Sequence, residues 1–89
     1  MFNGIIFNTG KVYSITRSKN SILISIETKL KFLNKDLGSS ISCNGVCLTL
    51  LKIKENLINF YISNETLERS NFKFIKVNNI INLEKSIIY

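Results

Sequence analysis

The chain has no histidine, proline or tryptophan, only two cysteines, and no long apolar run, and each shortage closes a class of function. Without histidine, and with two thiols to offer, a zinc site lacks ligands, so no metal centre is expected. The thiols do not make a staple either: along one strand Cys43 and Cys47 would sit roughly 13 Å apart, beyond disulfide reach. Both are expected free. The opening, Met1-Phe2-Asn3-Gly4-Ile5-Ile6, carries no charged leader and no extended apolar stretch. That predicts no signal peptide, no membrane span, and a cytoplasmic protein. A chain of 89 residues suffices for one small core, so residues 1–89 are expected to form one domain.

What is present is basic and rich in isoleucine and asparagine. The 12 Lys+Arg outnumber 6 Asp+Glu for a net charge of +6, which raises nucleic acid as a partner. The cations are scattered singly, however, with no run of the kind that marks a nucleic-acid tail. The skew also matches drift toward A/T-rich codons, so part of the charge carries no functional meaning.

The strongest local signal is Cys43-Asn44-Gly45-Val46-Cys47-Leu48-Thr49. Asn-Gly takes the positive φ angles of a two-residue hairpin turn, which pairs Cys43 with Val46. Period-two alternation then sets Val46, Leu48 and Leu50 on one face and Cys47 and Thr49 on the other. A thiol and a hydroxyl project side by side, away from an aliphatic row.

The rest of the chain reads as strands. Gly4 to Thr16 is one long strand bent or bulged at Gly10, and Ile22, Ile24 and Ile26 alternate cleanly with Leu23, Ser25 and Glu27. Leu30, Leu33 and Leu37 change the spacing to three and four, which predicts a short helix or helical turn over Thr28–Leu37, stopped by Gly38. Ser39–Cys43 and Val46–Lys54 flank the hairpin, with a bulge allowed at Leu50-Leu51. Ile58, Phe60 and Ile62 mark a fifth strand and Ile80–Glu84 a sixth. Ser63-Asn64-Glu65-Thr66 reads as the capped start of a second short helix. Phe60 and Phe74 are assigned to the core, Phe2 to a plug at the barrel end, and Ser40 to an ordinary strand position. Six antiparallel strands and two helical turns predict an all-β closed barrel, packed solid inside, so any site lies on its outer surface.

The order of these pieces resembles the riboflavin synthase family, specifically its N-terminal lumazine-binding barrel. The opening Met1-Phe2-Asn3-Gly4-Ile5-Ile6 is similar to the family's Met-Phe-Thr-Gly-Ile-Val, and Asn44-Gly45-Val46-Cys47-Leu48-Thr49 to its Asn-Gly-x-Cys-Leu-Thr. Glu65-Thr66-Leu67 and Ile81-Asn82-Leu83-Glu84 follow in family order. Asn3 and Asn78 depart from the family's usual Thr and Gly. The resemblance implies a Greek-key barrel and a transferase that needs no cofactor: two molecules of 6,7-dimethyl-8-ribityllumazine give riboflavin and 5-amino-6-ribitylamino-pyrimidinedione. It implies ligand contacts at Gly4, Ile5 and Ile6, at Cys47, Leu48 and Thr49, and at Tyr61, Ile62, Ser63, Asn64, Glu65 and Thr66. It further implies self-association, as a dimer for one barrel and a trimer for a two-barrel chain, since the family's site lies between barrels.

The side chains suit that chemistry. A ribityl chain wants hydroxyl and amide partners such as Thr49, Ser63, Asn64 and Thr66, and a flat pteridine-dione wants backbone donors and acceptors at strand ends. Cys47 is the candidate catalytic group, able to position a nucleophile or stabilise charge when a ring methyl is deprotonated. Two other classes compete: a flavin- or lumazine-binding module without catalysis, and an OB-like single-stranded nucleic-acid binder stacking bases on Phe60 and Tyr61.

Overall fold

Residues 3–88 are described by a computed structural model, and the Phe2 plug therefore lies outside the described residues. Six strands are joined in a closed antiparallel barrel: β1 (Asn3–Arg17), β2 (Ser21–Thr28), β3 (Ser40–Cys43), β4 (Val46–Lys54), β5 (Leu57–Ser63) and β6 (Ile80–Ile88). Their order around the barrel is β1-β2-β5-β4-β3-β6, closed by β6 on β1. This is the expected Greek key. The β3–β4 hairpin fills the gap between β5 and β6, so the chain crosses one barrel end between β2 and β3, and leaves β5 through helix α1 (Asn64–Glu68).

Alternation decides what is inside. In β2 the side chains of Ile22, Ile24 and Ile26 are buried, in β5 those of Ile58, Phe60 and Ile62, and in β4 those of Leu48 and Leu50. Each such side chain stabilises the fold by about 1.5–3 kcal/mol relative to exposure. Phe60, at 0% exposure, is the largest of them and fills the middle. No helix among the described residues is long and apolar enough to cross a membrane.

Two expectations are corrected and one is made specific. The irregularity in β1 is not at Gly10 but at Tyr13, the extra residue between the pairs Val12↔Ile26 and Ser14↔Ser25. Gly10 serves close approach instead: a Cβ there would run into the Ile26 side chain and come within 3.1 Å of the Glu27 carbonyl, so this particular approach of β1 to β2 needs a glycine. Second, the short helix or helical turn expected within Thr28–Leu37 is a single 3-10 turn, Asn34–Asp36. The Thr28 hydroxyl donates to the Thr9 carbonyl and accepts from the Leu30 amide, and the Asp36 carboxylate accepts from the Leu33 amide at 2.7 Å. These local bonds compete with a helical ladder, and of the three leucines only Leu30 reaches the core. Third, Phe74 is not core: it is 67% exposed, while Phe72 in the same 3-10 turn (Asn71–Phe74) is buried.

The crossing segment is clasped from below by β6. The Lys85 ammonium lies 2.9 Å from the Asp36 carboxylate and 2.8 Å from the Lys31 carbonyl, over the Phe32 ring. Burial pushes the Asp36 carboxyl up, but the Leu33 amide and the Lys85 charge outweigh it and hold the group below its ordinary value.

Candidate functional site

The hairpin forms as its two turn residues require. Asn44 and Gly45 have φ of 51° and 82°, the pattern of a type I′ turn, and Cys43 faces Val46. Asn44 then ties the turn to β6, its amide donating to the Asn82 carbonyl at 2.8 Å and its side-chain oxygen accepting from the Asn82 amide at 2.7 Å. The turn cannot swing. Its consequence is that the two cysteines part company: Cys43 is buried and Cys47 exposed. Burial, with a smaller contribution from charge at Cys47, pushes the Cys43 thiol up to about 12, so it stays protonated at neutral pH. The sulfur available to a ligand is that of Cys47.

The outward neighbours of Cys47 and Thr49 on β3 are Ser42 and Ser40. On the other side lies an opening. β4 and β5 pair from Lys54↔Leu57 as far as Leu50↔Phe60, with the expected bulge between Leu50 and Lys52, and that register goes no further. Beyond it Val46–Thr49 remain paired to β3, and Tyr61–Ser63 to β2. Two strand edges therefore face each other across a parted seam, and strand edges carry a row of backbone donors and acceptors. The bulge helps part them, since an extra residue bends and twists its strand.

Helix α1 begins at the end of β5, past the last β4–β5 pair. Ser63 is its N-cap, accepting from the Thr66 amide at 3.3 Å and donating to the Thr66 hydroxyl at 3.2 Å. The Asn64 amide donates to the Asn20 carbonyl at 3.0 Å, and Leu67 is buried, so the first turn is pinned at both ends. Glu65 reaches Arg69 at 3.1 Å on the open surface, a pair of little energetic weight.

Cys47 and Thr49 on β4 and Tyr61 and Ser63 on β5 thus lie past the last β4–β5 pair, and Asn64 and Thr66 follow in α1. Leu48 and Ile62 belong to the same two strands, but their side chains point into the core, which leaves only their backbone to the seam. Gly4, Ile5 and Ile6 stand apart. They pair with Ile87, Ser86 and Lys85 of β6, and β6 and β3 both lie between β1 and β4. Ile5 is exposed, and Ile6 packs partly against the core.

Sequence reasoning took Ser40 as an ordinary strand position and did not single out Ser42 or Leu23. Ser40 and Ser42 on β3, and Leu23, which faces Tyr61 from β2, all present outward side chains around the opening. The signal for the two serines was the alternation Ser40-Ile41-Ser42-Cys43, readable once β3 is known to lie beside Cys47 and Thr49. A hollow of about 480 Å³ beside the end of α1, lined by Asn44, Val46, Arg69, Phe72, Lys73 and Phe74 among others, holds none of the expected site residues.

Comparison with known proteins shows the family. Residues 3–86 match the lumazine binding domain family. A riboflavin synthase from Buchnera aphidicola subsp. Baizongia pistaciae is 41% identical over 88 residues, covering 98% of this chain and 42% of that protein. Another from Photobacterium phosphoreum is 36% identical over 89 residues, covering 99% and 41%, and one from Escherichia coli is 33% identical over 87, covering 97% and 41%. The chain spans about two fifths of the length of these curated relatives.

Proposed function

The chain belongs to the lumazine-binding domain family, and on that premise we propose that it is a single barrel, residues 1–89, forming the N-terminal half of a riboflavin synthase. It holds one molecule of 6,7-dimethyl-8-ribityllumazine or riboflavin at the parted β4–β5 seam. The observation that carries this reading is the seam itself, open past Leu50↔Phe60 and flanked by the Ser63-capped start of α1. A pteridine-dione edge alternates carbonyl and N–H groups, and two facing strand edges alternate their complements. Thr49, Ser63 and Thr66 offer hydroxyls to the ribityl chain. Cys47 places a sulfur beside the ring, where it can position an attacking group or stabilise the charge left when the ring methyl loses a proton.

The reaction takes two lumazines, moves a four-carbon unit from one to the other, and releases riboflavin and 5-amino-6-ribitylamino-pyrimidinedione. One substrate is oxidised as the other is reduced, so no cofactor is called for. The barrel interior is filled, and a site on its outside covers one face of one ligand. A second barrel must bring the second ligand. Self-association follows, as a dimer of this barrel or a trimer of a two-barrel chain. Two free thiols support a cytoplasmic setting.

The coverage of only two fifths of each relative favours a second reading for the barrel by itself, ligand binding without turnover. The nucleic-acid reading has less support: Phe60 is in the core, which leaves Tyr61 as the stacking surface on β5. Titrating the protein into riboflavin and following flavin fluorescence tests the proposal, with saturable quenching expected. No binding of riboflavin or the lumazine at high micromolar protein, alongside tight, strongly salt-dependent binding of single-stranded DNA, would overturn it. Riboflavin formation from the lumazine, followed by absorbance, separates turnover from binding.

A further inference from the structure

β6 carries a cation where its alternation calls for an apolar side chain. Ile81 and Leu83 are buried inside the barrel, and Lys85 is the next position of the same parity, paired with Ile6 of β1, whose side chain packs partly against the core. Instead of turning out to water, the Lys85 ammonium lies 2.9 Å from the Asp36 carboxylate, with the two side chains only 13% and 14% exposed. It also donates to the Lys31 carbonyl at 2.8 Å. A charge at a core position, desolvated together with its partner, adds little net stability over an apolar residue of similar size, and such local exceptions to patterning gather where a protein has a second use for them.

What the clasp holds leads to the seam. The Asp36 carbonyl accepts from the Ser39 amide at 3.0 Å and from the Ser39 hydroxyl, and Gly38, at a φ of 84°, makes the intervening turn that a residue with a side chain would resist. The Gly38 amide then donates to the Leu50 carbonyl at 2.8 Å, and the Leu50 amide donates to the Ser39 carbonyl at 3.0 Å. Leu50, opposite Phe60, is where β4 and β5 stop pairing. Both of its backbone groups are spent on the crossing segment, and successive residues of an antiparallel strand aim their backbone groups to opposite sides. Those of Thr49 therefore face the parted edge of β5.

We propose that Asp36 and Lys85 are positioning residues for the ligand site: their ion pair holds the crossing segment against Leu50, and Leu50 held in this way presents the Thr49 backbone to a ligand in the seam. Neither residue belongs to the two strands that part there, and neither touches the ligand. Without the pair, segment 36–39 loosens from β4, and the Thr49 edge loses the geometry that the ligand needs. The role rests on the lumazine-binding reading, because it is exercised on the ligand of that site. Coupling of this kind is reciprocal, so a ligand that gains from the clasp must tighten it by the same factor.

Riboflavin titration followed by fluorescence, with amide hydrogen exchange followed by NMR, on the wild type, Lys85→Met, Lys85→Arg and Asp36→Asn tests it. Lys85→Met keeps the aliphatic stem and removes the charge. It should weaken riboflavin by about tenfold and speed exchange at the Gly38 and Leu50 amides, while the Val12 amide, bonded to the Asn79 carbonyl at 2.9 Å, keeps its rate. Asp36→Asn should act in the same way, and Lys85→Arg should keep both readouts at their wild-type values. In the wild type, saturating riboflavin should slow exchange at Gly38 and Leu50 more than at Val12, which decides the matter if the charge-removing variants do not fold. Riboflavin affinity within about twofold of wild type in folded Lys85→Met and Asp36→Asn, a uniform rise in exchange across the barrel, or no selective slowing by riboflavin would overturn the role while leaving the lumazine-binding reading intact. A wild type that binds no riboflavin removes the reading and the role together.

Discussion

The β1–β6 and β4–β5 seams are built from the same kinds of residue and end differently. β1 and β6 run in unbroken register from Asn3↔Ile88 to Lys11↔Ile80, whereas β4 and β5 slip at Leu51 and part after Leu50↔Phe60. The first seam is wall. The second leaves two strand edges facing outward beside a capped helix, with polar side chains at Thr49, Ser63 and Thr66 instead of isoleucines. On the proposed reading the ligand sits where the wall is interrupted, between the Asn44-Gly45 hairpin and the capped start of α1.

That contrast can be broken from either side. The largest effect should come from Phe60→Ala, which empties the middle of the barrel at the last pair before the seam opens. A loss of about 3–5 kcal/mol in denaturant unfolding is expected, and a loss below about 1 kcal/mol would show that the seam's closed part does not depend on this ring. Gly10→Ala attacks the wall, forcing a methyl group into Ile26 where β1 meets β2, and should destabilise by about 1–3 kcal/mol without touching ligand contacts. Thr49→Ala acts on the opening alone. Its side chain is exposed, so stability should change by no more than about 0.5 kcal/mol, while riboflavin affinity in a fluorescence titration falls. Equal effects of Gly10→Ala and Thr49→Ala on stability would erase the distinction between wall and opening.

Much of the barrel was legible one residue at a time. Alternation in Ile22–Glu27 and Leu57–Ser63 reports which side chains are inside, because a pleated strand between core and water has a period of two. The start of α1 was legible for a similar reason, since Ser63 meets an N-cap need that exists before any packing. The failures are equally local in origin and tertiary in outcome. Leu30, Leu33 and Leu37 have helical spacing, yet Thr28 and Asp36 bond the backbone in other ways, and the Lys85 ammonium from β6 anchors Asp36. Phe74 was misjudged because hydrophobicity alone does not tell which of two alternate phenylalanines in a 3-10 turn points inward.

The sequence by itself determined the hairpin and its faces. Asn44-Gly45 accepts positive φ where other residues resist it, that turn sets the register, and the register sends Cys43 inward and Cys47 outward. Only the tertiary structure decided what holds the crossing segment against Leu50. Asp36 and Lys85 are far apart in the chain, and they meet because closing six strands around one core brings β6 beneath that segment. The opening beyond Leu50↔Phe60 was likewise a matter of closure. A bulge was readable at Leu50-Leu51, but whether it seals or parts a seam depends on what β5 is bonded to on its other side, which here is β2.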